Sequence, residues 1–328
     1  MSYTLSSLEQ SLISESKSVK LSSDSQGLYL NINNAKAMAK LSLFGAHLLS
    51  YKPARDNQER LFVSRLAKFD AQTPIRGGVP ICWPWFGAAK ESIIGSANES
   101  TNNSIKERLC SENAGASLKL PSHGFVRTQY WQLTELEEMR DKQNIVETSL
   151  TLRPTRLGLY NFPAELLCEL KIKIGEKCSL ILITNNYSNT DIRLSGAIHS
   201  YFRVSDIANV SIKGIEREFS DKLDDLKIKA APIQYLISEE TDRVHRSDSA
   251  QARVIIEDSG ILQKADFIEL EHKGQNALVV WNPWVEKSHN MADMGENEYR
   301  KMLCIESAIE PEIVLESGKQ HILEQSIS

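Results

Sequence analysis

The sequence predicts an all-β protein, a large antiparallel β-sandwich with few short helices. Apolar runs of strand length recur from residue 27 onward, and turn residues separate them at intervals typical of a sandwich. Strands do not alternate with long helical patterns, which disfavours a parallel α/β sheet. The 328 residues can bury the core of one large β domain or of two smaller ones.

The predicted elements begin with a short helix near residues 6–15, where Ser6 and Glu9 have the spacing of a capping box. The clearest strand is 168–174, because apolar residues alternate with polar ones at the period of a half-buried strand. A turn at Gly175-Glu176 leads into a run at 179–184, which predicts an antiparallel hairpin. The other predicted strands are 27–32, 39–43, 146–152, 193–202, 254–256 and 277–281.

One segment, residues 91–117, differs in composition from the rest of the chain. It is rich in Ser, Asn, Glu and Gly, and it offers too little apolar surface to offset the entropy of ordering. We therefore expect a flexible insertion at 91–117. Because it lies between two motifs that carry candidate functional residues, we expect it to lie near a site and not at a domain boundary.

Composition and charge exclude several classes of protein. The net charge of −5 provides no basic excess for general nucleic-acid binding. No window approaches the ~18 uninterrupted apolar residues that a membrane span needs. The N-terminus lacks the basic start of a signal peptide, and the five cysteines show no Cys-x-x-Cys spacing. We expect a cytoplasmic monomer with reduced cysteines and with no nucleic-acid or membrane partner.

The stretch from residue 279 to 306 carries the strongest functional signal. Trp281 and Trp284 bracket Asn-Pro, and Pro283 predicts a strand end because proline donates no backbone hydrogen bond. Glu306 closes a short apolar run, where a carboxylate is costly unless it is paired or functional. Aromatic faces beside such a carboxylate suit a small polyhydroxylated ligand such as a sugar. The alternative is an aromatic-rich hairpin that ends in a surface glutamate.

Two further segments offer positive charge. Arg76 precedes Gly77-Gly78, where the backbone can approach a ligand closely, and its guanidinium suits an anionic oxygen. The alternative for this segment, which continues to the aromatic run 83–86, is a tight turn with a surface arginine beside core aromatics. Arg127 lies four residues after His123, and we expect both to enter one pocket from a loop and a strand start. The two arginines together would clamp a phosphate.

Two more polar residues are candidates for the site. His199 lies in a strand-like run, where it faces the same way as Ala197 and Tyr201. A histidine can lend a proton and take it back near neutral pH, whereas the alternative is a hydrogen-bonded core histidine. Asp242 lies on a predicted loop, where it would bind sugar hydroxyls. The alternative for Asp242 is membership of a solvated charge run.

In combination, these segments resemble the hexose-6-phosphate mutarotase (glucose-6-phosphate 1-epimerase) family, within the aldose 1-epimerase or galactose mutarotase-like group. The matching pieces occur in the family's order and cover roughly residues 25–320. They are 44–50, 76–87, 120–127, 199–202, 241–244, 281–284 and 304–306. Two departures are the longer insertion at 91–117 and His245, which stands where a tyrosine often follows Asp-Arg-Val.

The resemblance implies a β-supersandwich fold in one domain, residues 1–328, and a set of residue roles. It implies that His199 is the general acid and Glu306 the general base. The substrate-binding residues that it implies are Arg76, Ser122, His123, Arg127, Asp242 and Trp281.

The implied reaction interconverts the α and β anomers of a hexose 6-phosphate, with glucose 6-phosphate as the expected substrate. A base removes the C1 hydroxyl proton while an acid protonates the ring oxygen, and the opened ring recloses on the other carbonyl face. We expect the two groups on opposite sides of the ring oxygen and the anomeric centre. We expect no cofactor and no metal, since the seven His and five Cys show no metal-ligand spacing.

Two other functions are open at the level of sequence. An aldose 1-epimerase of unphosphorylated sugars would keep His199 and Glu306 but would not need Arg76 and Arg127 as a pair. A non-catalytic sugar-phosphate sensor would use the same cleft, although a sensor has no need of an acid and a base together.

Overall fold

A computed structural model describes residues 3–25, 27–89, 120–260 and 267–328. The predicted insertion at 91–117 lies outside these ranges. Within them, most of the chain forms antiparallel strands in sheets of four, eight and nine strands, which confirms the predicted all-β fold. No helix in the described ranges is long and apolar enough to cross a membrane.

The elements are numbered in chain order. Helix α1 spans Ser7–Glu15, helix α2 spans Trp284–His289, and 3-10 helices occupy Val126–Thr128, Ile207–Asn209 and Glu298–Lys301. The strands are β1 (Val19–Asp24), β2 (Gly27–Asn33), β3 (Ala37–Ser42), β4 (His47–Pro53), β5 (Ile81–Cys82), β6 (Trp131–Asp141), β7 (Asn144–Pro154), β8 (Leu166–Ile174), β9 (Cys178–Asn186), β10 (Ile192–Ile198), β11 (Tyr201–Arg203), β12 (Val210–Lys213), β13 (Phe219–Asp221), β14 (Lys227–Lys229), β15 (Tyr235–Leu236), β16 (Thr241–Arg246), β17 (Gln251–Asp258), β18 (Phe267–Lys273), β19 (Ala277–Asn282), β20 (Met302–Leu315) and β21 (Gln320–Ile327).

The three sheets differ in connectivity. Strands β1 to β4 pair in chain order as a simple meander. The eight-stranded sheet has the order β14-β13-β16-β19-β20-β10-β5, and β11 also pairs with β20. The nine-stranded sheet has the order β15-β12-β17-β18-β21-β9-β8-β7-β6. Sequence-distant strands are therefore neighbours in both large sheets.

Helix α1 begins where the capping box was predicted. The Ser6 hydroxyl accepts the backbone N–H of Glu9 at 3.3 Å, and the Glu9 carboxylate accepts the N–H of Ser6 at 2.8 Å. Glu9 is fully buried and also accepts the N–H of Leu133 in β6 at 3.1 Å. One carboxylate thus caps the helix and fixes it to the nine-stranded sheet.

The predicted hairpin is confirmed as β8 and β9. Both strands alternate between buried and half-buried residues along their whole length, because one face packs on the core and the other is partly exposed to solvent. Cys168 and Cys178 belong to the buried face and are free thiols.

Strands β19 and β20 are unusual because they are buried on both faces over most of their length. On β20, Leu303 and Ile305 join the main core, which also includes Leu323 of the nine-stranded sheet. Cys304 and Glu306 alternate with them and face the other way. We call this second face of β19 and β20 the site face.

Two sequence-based expectations about these strands are wrong. The predicted strand 193–202 is interrupted, since β10 ends at Ile198 and β11 begins at Tyr201. Glu306 does not end its strand, because β20 continues to Leu315. A polar residue after an apolar run imitates a strand end, but here both faces of the strand are covered and the carboxylate lies in mid-strand.

Candidate active site

Two titratable side chains lie in contact on the site face. Nδ1 of His199 is 3.3 Å from Oε1 of Glu306. Glu306 is 1% exposed and His199 is 8% exposed. His199 Nδ1 and Glu306 Oε2 are buried without a hydrogen-bond partner. A buried pair with unsatisfied polar atoms reduces the stability of the fold, so this arrangement favours a functional role over a structural one.

His199 and Glu306 are adjacent to each other; the expectation of an acid and a base on opposite sides of the ring oxygen and the anomeric centre stays a prediction. The C1 hydroxyl oxygen and the ring oxygen of an aldose are bonded to the same carbon. Both oxygens are therefore within reach of two side chains that lie close together, as His199 and Glu306 do.

His199 occupies the break between β10 and β11 because its backbone bonds to a loop. Its N–H donates to the carbonyl of Pro80 at 3.1 Å, and the N–H of Tyr201 donates to the carbonyl of Gly78 at 2.9 Å. Gly78 has a φ of +59°, and a Cβ there would lie 2.4 Å from the carbonyl oxygen of Leu48. Glycine at this position lets the loop after Arg76 run directly beside His199.

Burial shifts the pKa values of both groups toward their uncharged forms. The pKa of Glu306 is raised well above its usual 4.5, chiefly by burial, and the charge of Lys222 partly opposes this. Burial, followed by neighbouring basic side chains, lowers the pKa of His199 well below 6.5. Because the two shifts are opposite, the ligand-free pair holds one proton over a wide pH range.

Aromatic rings surround the pair. The ring of Tyr201 stacks on His199 with centroids 4.9 Å apart and an interplanar angle of 5°. Trp281 meets His199 edge-on at 6.1 Å, and Phe86 does so at 6.4 Å. The predicted contact residue Trp281 therefore lies on the site face, close to His199.

Two tryptophans of the 76–87 segment do not reach the site. Trp83 and Trp85 are 1% and 0% exposed and pack in the main core. Their indole N–H groups donate to the Thr184 hydroxyl at 3.0 Å and to the Pro121 carbonyl at 2.9 Å. The alternative interpretation, core aromatics, is correct for these two rings, while Phe86 of the same segment faces His199.

His123 approaches the pair from a second loop. Its ring centroid is 5.8 Å from that of His199, and its Nδ1 accepts the N–H of Gly87 at 3.2 Å. Burial lowers the pKa of His123 to about 3, so the ring is neutral at pH 7 and Nε2 carries the proton. The next residue, Gly124, has a φ of +72°, and a Cβ there would lie 1.9 Å from the carbonyl oxygen of Trp83.

Arg76 reaches the site, but its guanidinium already has partners. Nε and Nη2 each lie 3.2 Å from Oδ2 of Asp293, and Nη1 donates to the Tyr201 hydroxyl at 3.0 Å. Tyr201 in turn stacks on His199, so Arg76 is connected to the buried pair. The sequence contained no signal for Asp293 as its partner, because the two residues are far apart in the chain.

Arg127 lies in the 3-10 helix Val126–Thr128 and not at the predicted strand start. Its Nη2 donates to the carbonyl of Ser122 at 2.8 Å, while its buried Nε has no partner. The exposed Ser122 donates its hydroxyl to the carbonyl of Gly87 at 3.2 Å. Arg127 and Arg76 both lower the pKa of His199, so the structure brings the two predicted arginines to the same histidine.

Asp242 lies in β16 and not on the predicted loop, directly opposite Trp281 of β19. The surrounding charge run resembles a surface loop in sequence, but backbone pairing places Asp242 next to the site face. Burial raises the pKa of its carboxyl. Its Oδ1 lies 3.8 Å from Nζ of Lys222, which also lies 4.7 Å above the ring of Phe86.

Lys222 is the main residue that the sequence analysis missed. It sits in the run Ser-Asp-Lys-Leu-Asp-Asp, which is indistinguishable from a solvated turn. Its proximity to Asp242 and Phe86 adds a third cation to the site beside the two arginines.

Three side chains of the site could hold a metal ion. One donor atom each from His199, Cys304 and Glu306 lie within 4.8 Å of one another, and all three residues are buried. Spacing along the chain gave no signal for this group. The described residues contain no comparable second cluster of three ligand-type side chains.

Comparison with known proteins agrees with this geometry. The sequence model of the aldose 1-epimerase family matches residues 28–328. The chain belongs to the aldose 1-epimerase family. The enzyme is therefore an isomerase of the mutarotase type, and the family resemblance noted from its motifs is confirmed.

Individual relatives support the same assignment. A protein of Salmonella typhimurium named "Putative glucose-6-phosphate 1-epimerase" is 31% identical over 278 residues, which are 84% of this chain and 81% of the relative. A protein of Cenchrus ciliaris with the same name is 30% identical over 294 residues, which are 86% of this chain and 78% of the relative.

Solved structures show the same fold. The crystal structure of a "putative mutarotase (YeaD)" from Salmonella typhimurium has a TM-score of 0.75 and 27% identity, and the match covers 95% of this chain and 94% of that chain. A galactose mutarotase-like protein from Clostridium acetobutylicum has a TM-score of 0.62 at 14% identity, with 95% and 99% covered. The fold is thus galactose mutarotase-like, as the motifs implied.

Proposed function

We propose that the enzyme interconverts the α and β anomers of hexose 6-phosphates, with glucose 6-phosphate as its main substrate. The observation that carries this proposal is the buried contact of 3.3 Å between His199 and Glu306. In the proposed roles, Glu306 is the general base and His199 is the general acid.

The proposed steps conserve protons. With the shared proton of the pair on His199, the Glu306 carboxylate takes the proton of the C1 hydroxyl while His199 gives its proton to the ring oxygen, and the C1–O5 bond breaks. Rotation about C1–C2 then presents the other face of the carbonyl, and closure returns both protons. The pair is net neutral before and after ring opening, so neither state leaves an uncompensated charge in the buried site. Each positioned proton transfer contributes about 10²–10⁴ in rate.

Arg76 and Arg127 are proposed to bind the phosphate on C6. A phosphate monoester carries close to two negative charges near neutral pH, and paired guanidinium groups suit it. The buried Nε of Arg127 has no partner in the described structure, so it is available to a ligand oxygen. The names of the relatives, which specify glucose 6-phosphate, support the same substrate.

The sugar ring is proposed to lie between Trp281 and the polar groups around it. Asp242 would accept hydrogen bonds from sugar hydroxyls, and the Nε2–H of His123 would donate one. Ser122 is exposed at the same loop and is the proposed outer contact.

A second candidate is an aldose 1-epimerase that acts on unphosphorylated sugars. One observation favours it: the carboxylate of Asp293 already lies 3.2 Å from the guanidinium of Arg76, which reduces the positive charge available to a phosphate. Arg76 would then serve mainly to position Tyr201, and Arg127 would position the loop that carries His123.

Saturation-transfer NMR at the anomeric protons distinguishes the two candidates. We expect exchange above the spontaneous rate for glucose 6-phosphate and little enhancement for free glucose. Comparable enhancement for both sugars would favour the unphosphorylated aldose, and no enhancement for any sugar would favour a binding protein without turnover. A single domain, a monomeric state and a cytoplasmic location stay predictions from the sequence.

A further inference from the structure

Cys304 has no part in the proposed ring opening, yet it lies beside both reactive groups. Its thiol, a ring nitrogen of His199 and a carboxylate oxygen of Glu306 are within 4.8 Å of one another. Cys304 is 0% exposed and Glu306 is 1% exposed. His199 Nδ1 and Glu306 Oε2 are the two atoms in this group that are buried without a hydrogen-bond partner. Three ligand-type side chains therefore converge on a space where two polar atoms are unsatisfied.

We propose that His199, Cys304 and Glu306 form a binding site for Zn²⁺, and that zinc bound there inhibits the enzyme. The donor set is one nitrogen, one sulfur and one oxygen, which suits zinc and does not suit Mg²⁺ or Ca²⁺. Inhibition rests on the function proposed above, because zinc occupies the groups that exchange protons with the sugar. Binding itself does not depend on that function.

The strand framework explains why these donors face one another. Cys304 and Glu306 are two residues apart on β20, so both point to the site face. Cys304 is directly opposite Tyr201 of β11 on one side and Trp281 of β19 on the other. His199 immediately precedes β11 and stacks on Tyr201. Paired strands on both sides of β20 thus hold two of the donors, and the stacked ring holds the third.

The distances require a small contraction. Zinc binds sulfur at about 2.3 Å and nitrogen or oxygen at about 2.0–2.2 Å, so donors around one tetrahedral ion are roughly 3–4 Å apart. His199 and Glu306 already meet this distance at 3.3 Å. The donor atoms of the three residues lie within 4.8 Å of one another, so the third donor has to approach the other two by up to roughly 1–2 Å.

Charge and proton balance also favour the complex. Zinc forms three bonds, to the Cys304 thiolate, the Glu306 carboxylate and a neutral His199 nitrogen, and the two anions cancel its charge. The thiol proton, and the proton that the His199–Glu306 pair shares, pass to solvent. Zinc binding therefore releases protons to the buffer.

Direct binding tests the site without any sugar. We expect isothermal titration of the full chain with ZnCl₂ to give one site per chain, with proton release that depends on the ionisation enthalpy of the buffer. Co²⁺ in place of Zn²⁺ should give a thiolate-to-cobalt charge-transfer band in the near ultraviolet. Cys304→Ser should abolish that band and weaken zinc binding at least about 10-fold, because thiolate is the preferred zinc ligand.

Cys168→Ala is the matched control, since Cys168 is an equally buried free thiol in the nine-stranded sheet. It should leave zinc affinity and the cobalt band unchanged, and thermal melting should show both variants folded. Equal zinc affinity in wild type and Cys304→Ser, or a cobalt band that persists in that variant, would overturn the proposal. So would loss of the band in Cys168→Ala.

Inhibition is measured separately. Zinc should slow anomer exchange of glucose 6-phosphate, EDTA should restore it, and the same concentration of Mg²⁺ should have no effect. Cys304→Ala should resist zinc, measured as the ratio of its exchange rate with zinc to its own rate in EDTA. A chain that binds zinc at this site but exchanges no sugar would refute the proposed function and leave the site intact. Tight zinc binding with undiminished exchange would overturn the inhibitory proposal.

Discussion

Nζ of Lys222 lies 3.8 Å from Oδ1 of Asp242, and the two side chains act in opposite directions on the buried Glu306. The charge of Lys222 lowers the pKa of Glu306, while Asp242 and, above all, burial raise it. Lys222 is thus the cation that makes the proposed base easier to ionise. Its ammonium also lies 4.7 Å above Phe86, which holds it near the site.

Removing this cation should change the pH dependence of the reaction. In Lys222→Met the pKa of Glu306 should rise further, because the carboxylate loses a favourable charge. The limb of the kcat/KM profile that reports Glu306 should therefore move to higher pH while the other limb stays in place. Kinetics across the pH range in wild type and variant check this.

Lys213→Met is the matched control, since Lys213 is an exposed lysine that pairs with Glu257 in the nine-stranded sheet. It should leave both limbs unchanged. A profile of Lys222→Met that coincides with the wild type, or one that moves to lower pH, would contradict the electrostatic role of Lys222.

The proposed acid and base should be sensitive to substitution. His199→Ala and Glu306→Gln should each reduce the rate of anomer exchange by about 10²–10⁴, since each removes one positioned proton transfer. Binding of glucose 6-phosphate, measured by titration calorimetry, should change far less. His321→Ala in the nine-stranded sheet is a control that should keep full activity. A folded variant of His199 or Glu306 that keeps more than about a tenth of the rate would refute its assignment.

The two arginines should determine substrate preference. A hydrogen bond to a charged group contributes about 1.5–3 kcal/mol, so Arg76→Ala or Arg127→Ala should weaken productive binding of glucose 6-phosphate by about 10- to 150-fold. The loss should appear in KM, because the phosphate is remote from the breaking C1–O5 bond. The weak activity on free glucose should barely change.

Measuring kcat/KM for both sugars checks this prediction. Arg253→Ala is the control, since Arg253 is an exposed arginine bonded to Glu269 on another sheet. Equal losses on phosphorylated and free glucose would assign the two arginines a structural role and favour the unphosphorylated substrate.

The backbone of Gly124 lies so close to Trp83 that glycine should be essential to the loop that carries His123. Gly124 and Gly318 have nearly the same φ, +72° and +73°. A Cβ at Gly124 would lie 1.9 Å from the carbonyl oxygen of Trp83, whereas a Cβ at Gly318 would have no neighbour within 4 Å. Gly318→Ala should lower the free energy of unfolding by only about 1–2 kcal/mol, the strain of a left-handed backbone. Gly124→Ala should lower the free energy of unfolding by about 1–3 kcal/mol more than Gly318→Ala, because the backbone has to move.

Denaturant unfolding of both variants measures the difference. Gly124→Ala should also lose activity, since the displaced loop carries His123 and Arg127. If the two substitutions proved equally destabilising, the contact between Gly124 and Trp83 would not be as close as described.

Local patterns predicted the parts of the fold that local physics controls. The capping box of Ser6 and Glu9 and the alternation in 168–174 involve contacts within a few residues, and both predictions are confirmed. Pro283 also ends β19 as predicted, because a missing N–H is a property of one residue. The ordered set of motifs was enough to identify the family, since each piece could be recognised separately.

The sequence by itself determined an all-β chain of a recognisable family, with His199, Glu306 and two arginines as candidates for its site. Only the tertiary structure decided that His199 and Glu306 touch, that Asp293 holds Arg76, and that Lys222 belongs to the site. Strand register across the eight-stranded sheet sets these contacts, and register between strands that are distant in sequence has no local pattern. The sequence contained no signal for Cys304 for the same reason, because its position beside His199 and Glu306 follows from the strands that pair with β20 and not from its neighbours in the chain.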